Sequence, residues 1–194
     1  MSIDALSPAF ADPVSATQQV FRQALDALAE PGLIHTVEHE LELDELCPAA
    51  YALCLTLLDS DTPLWVAPAL NTPALRANLA FHCACPIVDD PAQAVFALLT
   101  QTELDTINAF NPGNDRDPDL SCTLLIQLPT LSDGATQHLQ GPGIEHQRTI
   151  ELPVPSNVWD QRRHHMFPRG LDMFFAADRQ MMGLPRSTRV TVSA

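Results

Sequence analysis

The chain of 194 residues contains no lysine, and all ten of its basic residues are arginines. A pyridoxal-phosphate (PLP) enzyme needs a lysine amine to form a Schiff base with its cofactor. A P-loop nucleotidase needs the lysine of its phosphate-binding loop to reach the nucleotide phosphates. Both mechanisms are therefore excluded in their usual form, although genomic base composition alone can remove lysine from a protein. We expect the chain to carry no cofactor of its own.

Long hydrophobic runs and a paired set of cysteines are also missing. No stretch approaches the roughly 18–20 apolar residues that a membrane span requires, and the first residues lack the basic and apolar regions of a secretory signal. The five cysteines are an odd number, and Cys47, Cys54 and Cys122 lie in apolar runs, where a free cysteine packs as a small hydrophobic residue. We therefore expect a cytoplasmic protein without disulfide bonds.

Hydrophobic residues make up 46% of the chain and charged residues 18%, which is typical of a globular protein with a sizeable core. We expect residues 1–194 to form a single domain, with residues 1–11 as a loose N-terminal arm. Apolar spacing predicts helices over 13–30, 48–58, 73–81, 102–110 and 156–166, and strands over 33–39, 63–67, 95–99, 122–128, 137–140, 146–152, 172–177 and 188–192. This order favours an α/β fold in which helices cover both faces of a mixed central sheet, giving three αβα layers.

The net charge of −14 is unevenly distributed along the chain. Residues 1–145 contain 20 acidic residues and three arginines, whereas residues 146–194 contain four acidic residues and seven arginines. The acidic bulk argues against binding to nucleic acid or to an anionic membrane. The basic C-terminal quarter either meets an anionic ligand or an acidic partner, or it pairs with the acidic remainder of the same fold.

The C-terminal quarter contains the residues with the greatest potential to bind an anion. Guanidinium groups match phosphate and carboxylate oxygens bidentately, and Arg162 and His165 would share one face of the predicted helix. The competing interpretation is a helix that faces solvent or a partner, with exposed apolar contacts at Trp159, Met166 and Phe167. The candidates for anion binding or for a partner interface are Arg162, Arg163, His165, Arg169, Arg186 and Arg189.

Other clusters favour structural roles. The segment Phe81-His82-Cys83-Ala84-Cys85-Pro86 offers soft metal ligands, but no second ligand pair follows at a metal-binding spacing, so we predict no metal site. We interpret Asp59 and Asp61 as a turn, and Arg22 and His82 as buried ion-pair or hydrogen-bond partners. The sequence contains no Gly-x-Ser-x-Gly motif and no recognisable catalytic triad, so we predict no catalytic residues.

Six short motifs follow one another with matching spacing between residues 10 and 192. They are Phe21-Arg22-x-x-Leu25-x-Ala27-x-x-x-Pro31-Gly32, Leu57-Leu58-Asp59-x-Asp61-Thr62-Pro63-x-Trp65, Phe81-His82 followed by Pro86, Gly141-x-Gly143-Ile144, Phe167-Pro168-x-Gly170-x-Asp172 and Pro185-Arg186-x-Thr188-x-Val190. Together they resemble the PhnH family, the H subunit of bacterial carbon–phosphorus lyase. The chain departs from the family at Ser121, where a glycine is usual.

The resemblance implies a fold similar to the large domain of PLP-dependent transferases, but without PLP. It also implies a homodimer that joins subunits G, I and J in a core complex of phosphonate catabolism. That complex transfers an alkylphosphonate to the ribose C1 of MgATP with release of adenine, and the carbon–phosphorus bond is cleaved later. The nucleosidase and radical steps belong to other subunits, so this chain would be an accessory subunit.

Two other functions remain open at this point. The chain could act alone as an enzyme or a binding protein that uses its C-terminal arginines for a nucleotide or a phosphonate. It could also be a metalloprotein that uses His82, Cys83 and Cys85.

Overall fold

The computed structural model describes residues 6–43 and 45–193, in which helices and strands alternate. The helices are α1 Pro13–Ala29, α2 Pro48–Leu57, α3 Pro73–His82 and α4 Ser156–Arg163, with 3-10 helices at Pro91–Gln93, Gln101–Ala109 and Pro118–Leu120. The strands are β1 Ile34–Thr36, β2 Leu64–Val66, β3 Phe96–Thr100, β4 Thr123–Gln127, β5 Ala135–Gln140, β6 Arg148–Leu152, β7 Asp172–Ala177, β8 Gln180–Leu184 and β9 Arg189–Val192. Within this described part, no helix is long and apolar enough to cross a membrane.

The first three helices begin and end at residues with clear local reasons. Each has a proline in its first turn, where the fixed φ suits a helix and the missing N–H would have had no partner. The side chains of Asp12 and Thr72 cap α1 and α3 by accepting hydrogen bonds from backbone amides. After α1, Gly32 adopts a φ of 86°, which favours glycine. These signals are local, so the sequence predicts the three helices well.

Six strands form a mixed sheet in the order β1-β8-β7-β4-β3-β2. Strands β2, β3, β4 and β7 are parallel, whereas β8 pairs antiparallel with β7 and with β1. Parallel neighbours need crossover connections, and helices or 3-10 turns lie in each of them. The predicted α/β class and the predicted mixed central sheet are confirmed.

Alternating side chains of the central strands divide the core into two halves. Leu98, Leu125 and Phe174 face α1, α2 and α3, whereas their neighbours Leu99 and Phe175 face the opposite side. That second side is covered by α4, by the longest 3-10 helix and by a separate antiparallel sheet in the order β6-β5-β9. The core is therefore layered as predicted on the helical side, while the other layer combines a helix with a small sheet.

Three elements differ from the sequence prediction. Strand β8 was not predicted, because its segment carries a glycine and no clear alternation of apolar and polar residues. The segment predicted as a helix over 102–110 is a 3-10 helix. The helix predicted over 156–166 ends at Arg163, because the amide of His164 donates to the carbonyl of Gln161 and closes the last turn.

The N-terminal arm and two smaller clusters have structural roles. Of the predicted arm 1–11, residues 1–5 lie outside the described residues, while Phe10 is buried in the core. The ring of His82 lies 3.0 Å from the carbonyl oxygen of Ser7, which confirms its predicted role as a hydrogen-bond partner, although the side chain is half-buried and not buried as predicted. Arg22 is exposed on α1, so the buried role predicted for it is wrong.

The acidic and cysteine clusters also belong to the framework. The amide of Asp61 donates to the carboxylate of Asp59 at 2.9 Å, which confirms the predicted turn. Cys83 and Cys85 are buried, and burial raises the pKa of the Cys83 thiol to about 12. Among residues 6–43 and 45–193, no group of three or more His, Cys, Asp or Glu side chains is arranged to hold a metal ion.

Candidate functional site

A cavity of about 690 Å³ opens between α4, the loop that follows it, and the segment that leads into β9. Its walls come from residues 159–167 and 186–191, with Pro142 at one side. We call this cavity the arginine cleft. A volume in this range is typical of small-molecule sites.

The arginine cleft brings together five of the six residues predicted to bind an anion or a partner. These five are Arg162, Arg163, His165, Arg186 and Arg189. The sixth, Arg169, lies outside the lining, and its Nε is 3.2 Å from Oδ1 of Asp115. Arg162 and Arg186, which are 24 positions apart in the sequence, line the same cleft because the loop after β8 passes alongside α4.

Arg162 is buried and connects α4 to the loop between β8 and β9. One terminal nitrogen donates to the carbonyl oxygen of Thr188 at 2.5 Å, and the other donates to the carbonyl oxygen of Pro185. Burial lowers the pKa of Arg162 to about 10, and the negative charge of Asp172 acts in the opposite direction. The guanidinium remains charged at neutral pH, and no carboxylate among the described residues pairs with it.

Arg186 is neutralised within the fold. Its Nε lies 3.2 and 3.1 Å from the two carboxylate oxygens of Asp172, and one terminal nitrogen lies 2.5 Å from Oδ2. The backbone amide of Arg186 donates to the same carboxylate at 2.6 Å. A bidentate pair with this geometry fixes the entrance to β9. Arg186 therefore shapes the cleft, and its charge is already balanced.

Arg163 and Arg189 present the accessible positive charge. Arg163 is exposed and pairs with Asp160 one turn earlier on α4. Arg189 is exposed at the start of β9, and no hydrogen bond or ion pair to its side chain occurs within 6–43 and 45–193. An exposed ion pair contributes little stability and can be exchanged for another partner. Both side chains are therefore available to a ligand.

His165 adds a neutral imidazole to the cleft wall. Burial lowers its pKa below 6.5, and the positive charges of Arg169 and His164 lower it further. The ring is therefore neutral at pH 7, so its two nitrogens comprise one hydrogen-bond donor and one acceptor. Its Nε2 is buried without a hydrogen-bond partner among the described residues.

Three further residues of the lining carry buried polar atoms that lack a partner within the described structure. They are the indole Nε1 of Trp159, the Nε of Arg162 and the hydroxyl of Thr188. Trp159 was predicted to be exposed, and this is wrong, because the residue is 1% exposed and packs against Phe175. Thr188 belongs to the sixth sequence motif, but it was not among the predicted site residues. The predicted exposure of Met166 and Phe167 at the same wall is confirmed.

The side chains that line the cleft are suited to binding a ligand. The exposed guanidinium groups of Arg163 and Arg189 can donate hydrogen bonds, and apolar side chains such as Met166 and Phe167 lie beside them. Asp160 and Asp172 form ion pairs with two of the four lining arginines, whereas Arg162 and Arg189 form none among the described residues. The arrangement fits an anion.

Comparisons with known proteins agree on one family over almost the whole chain. Residues 8–191 match the family model of the bacterial phosphonate metabolism protein PhnH. The chain is 34% identical over 190 residues to the protein of Rhizobium meliloti (strain 1021) named alpha-D-ribose 1-methylphosphonate 5-triphosphate synthase subunit PhnH, covering 95% of this chain and 94% of that one. It is also 25% identical over 83 residues to a putative C-P lyase subunit protein, HtxG, of Stutzerimonas stutzeri, covering 41% and 43% of the two chains. The resemblance seen in the six motifs is thereby confirmed: the chain belongs to the family of the bacterial phosphonate metabolism protein PhnH.

Proposed function

We propose that this chain is an accessory subunit of a cytoplasmic carbon–phosphorus lyase complex. In that complex it supports the transfer of an alkylphosphonate to the ribose C1 of MgATP, with release of adenine and later cleavage of the carbon–phosphorus bond. The observation that carries the proposal is the alignment at 34% identity, over 95% of the chain, with a subunit of a ribose methylphosphonate triphosphate synthase. The shorter similarity to a C-P lyase subunit points in the same direction.

The chemistry of the chain's own residues supports an accessory role. The absence of lysine removes Schiff-base chemistry. Burial raises the pKa of the Cys83 thiol and of the Cys122 thiol to about 12. It also raises the pKa of the Cys54 thiol well above its ordinary value, so all three thiols stay protonated and unreactive at neutral pH. The five cysteines also lack the spacing of a cluster-binding motif. The chemical steps are therefore assigned to the partner subunits.

The proposal also covers the proteins that this chain binds and the fold family to which it is distantly related. The chain forms a homodimer and binds subunits G, I and J. Apolar side chains stand exposed on α1 and after α4, including Val14, Leu25, Met166 and Phe167, and such side chains are typical of protein interfaces. The mixed sheet, with α1, α2 and α3 on one face and α4 on the other, supports a distant relation to the large domain of PLP-dependent transferases.

A chain that acts alone as an anion-binding protein is the alternative, and the arginine cleft is the observation that favours it. The two functions differ in what the partner subunits can do without this chain. We would express subunits G, I and J from the same bacterium with and without it and measure adenine released from MgATP and methylphosphonate. The proposal predicts that adenine release requires this chain, and equal rates in the two preparations would overturn it.

A further inference from the structure

We propose that the groove between α4 and β9 binds an acidic, extended segment of a partner protein. This inference rests on the proposed subunit role and deepens it, because it assigns a docking surface and the kind of segment that occupies it. Four properties of the groove support it: its length, the free edge of β9, its charge, and the exposed apolar side chains at one end.

The groove is longer than the arginine cleft alone. A second cavity of about 410 Å³ is lined by Ser156, Asp160, Arg163, Thr191 and Val192. The two cavities share Arg163 and Thr191, so together they follow α4 from its first residue to the segment beyond its last. The eight residues of α4 extend over about 12 Å, which an extended chain covers with about four residues. A groove of this shape suits a polypeptide segment better than a compact small molecule.

The edge of β9 offers main-chain groups to an extended segment. In the described sheet, β9 is an edge strand whose neighbour is β5. The amide of Ser193 donates to the carbonyl oxygen of Thr136 at 3.0 Å, and main-chain groups alternate in direction along an antiparallel strand. Those of Val190 and Val192 therefore point away from β5, and Nη1 of Arg163 reaches the carbonyl oxygen of Val190 from that side at 3.5 Å. An exposed strand edge of this kind can pair with a peptide by β-strand addition.

The charge of the groove is opposite to that of the chain as a whole. The chain carries a net charge of −14. In the groove, Asp160 pairs with Arg163, whereas Arg162 and Arg189 form no ion pair among the described residues. Arg189 is exposed and can bind a carboxylate directly. Because the chain as a whole repels an acidic segment while the groove attracts it, charge selects both the site and the orientation of the partner.

The apolar side chains at one end of the groove indicate that the acidic segment also carries an apolar residue. Met166 and Phe167 belong to the lining and are 74% and 71% exposed. Exposed side chains of this size are typical of protein interfaces. A segment with carboxylates at Arg189 and Arg163 would cover these two side chains with a neighbouring apolar residue.

The first test measures the Kd between the purified full chain and a purified assembly of subunits G, I and J by biolayer interferometry. Arg189→Glu should weaken this association about tenfold or more, because a charge that attracts the acidic segment becomes one that repels it. Added salt should weaken binding of the wild type more than binding of the variant, since salt screens the attraction that the variant has lost. The matched control is Arg22→Glu, which reverses another exposed arginine on α1 and should change Kd no more than about twofold.

The second test identifies the occupant in the wild-type assembly by photo-crosslinking. Benzoylphenylalanine in place of Met166 should capture a stretch of G, I or J in which two or more acidic residues lie beside an apolar one. The same group in place of Arg22 should not capture that stretch. A captured stretch without acidic residues, or one from a second copy of this chain, would overturn the inference.

The two tests separate this inference from the proposed function. If the chain binds the assembly and Arg189→Glu weakens binding no more than Arg22→Glu, this inference alone is wrong. If the chain does not bind the assembly at all, the subunit role is wrong as well.

Discussion

At the scale of single residues, the cleft depends on how each guanidinium is used. Both terminal nitrogens of Arg162 donate hydrogen bonds to carbonyl oxygens of the loop between β8 and β9. Arg186 donates to the carboxylate of Asp172 and to the carbonyl oxygen of Pro118. These two arginines build the walls. Arg163 and Arg189 remain exposed, so they are the ones that a ligand or a partner meets first.

Replacing Arg162 with methionine should destabilise the protein by about 2 kcal/mol, because the carbonyl oxygens of Pro185 and Thr188 lose their donors inside the fold. Urea unfolding at pH 7 measures this change. Arg163→Met, on the next residue of α4, breaks an exposed ion pair with Asp160 and a long hydrogen bond of 3.5 Å to the carbonyl oxygen of Val190, and should cost less than about 1 kcal/mol. Equal losses in the two variants would contradict the structural role of Arg162.

The titration of His165 should be visible in the pH dependence of stability. Its folded pKa is lowered from 6.5, mainly by burial and further by Arg169 and His164. Between that lowered pKa and 6.5 the unfolded chain binds more protons than the folded chain, so stability falls as the pH drops through this window. His165→Gln removes this contribution. In urea unfolding at pH 8 and pH 5.5, the variant should lose less stability than the wild type on acidification, and parallel losses would argue against the shift.

At the scale of elements, the sequence predicts what local signals encode. A proline in the first turn marks α1, α2 and α3, and capping side chains mark α1 and α3. Continuous apolar runs mark β3, β4 and β7. Strand β8 escapes prediction because Gly183 serves a tertiary contact: a Cβ there would lie 2.5 Å from backbone atoms of Ala27 in α1. The pairing of β5, β6 and β9 into a separate sheet was also not predicted, because a short sequence window contains no information on which distant strands pair.

Gly183→Ala should therefore loosen the contact between β8 and α1. The added methyl group meets the backbone of Ala27, which cannot move aside as a flexible side chain could, and overpacking of this kind costs about 2 kcal/mol. Thermal unfolding provides the measurement, with Gln180→Ala at the exposed start of the same strand as control. The control should change stability by about 0.5 kcal/mol or less. A variant at position 183 as stable as the control would mean that α1 does not approach β8 this closely.

At the scale of the whole molecule, the seven arginines of the last 49 residues divide between the two roles that the sequence left open. Arg148 and Arg179 donate to backbone carbonyls of the N-terminal half, and Arg162 donates to those of the loop between β8 and β9. Arg163, Arg169 and Arg186 pair with acidic residues. Arg189 has no such partner among the described residues. Five of the six arginine and histidine residues selected from the sequence line the cleft, but the sequence could not assign these roles, because they depend on which loop each side chain reaches after folding.

Membership of a phosphonate-processing complex is tested most directly by the mass of the assembly. We would tag this chain, express it with subunits G, I and J of the same bacterium, and weigh the purified material by native mass spectrometry. The account predicts one complex that contains all four kinds of subunit and two copies of this chain. A chain recovered alone, as a monomer or a dimer, while G, I and J assemble without it would contradict the account.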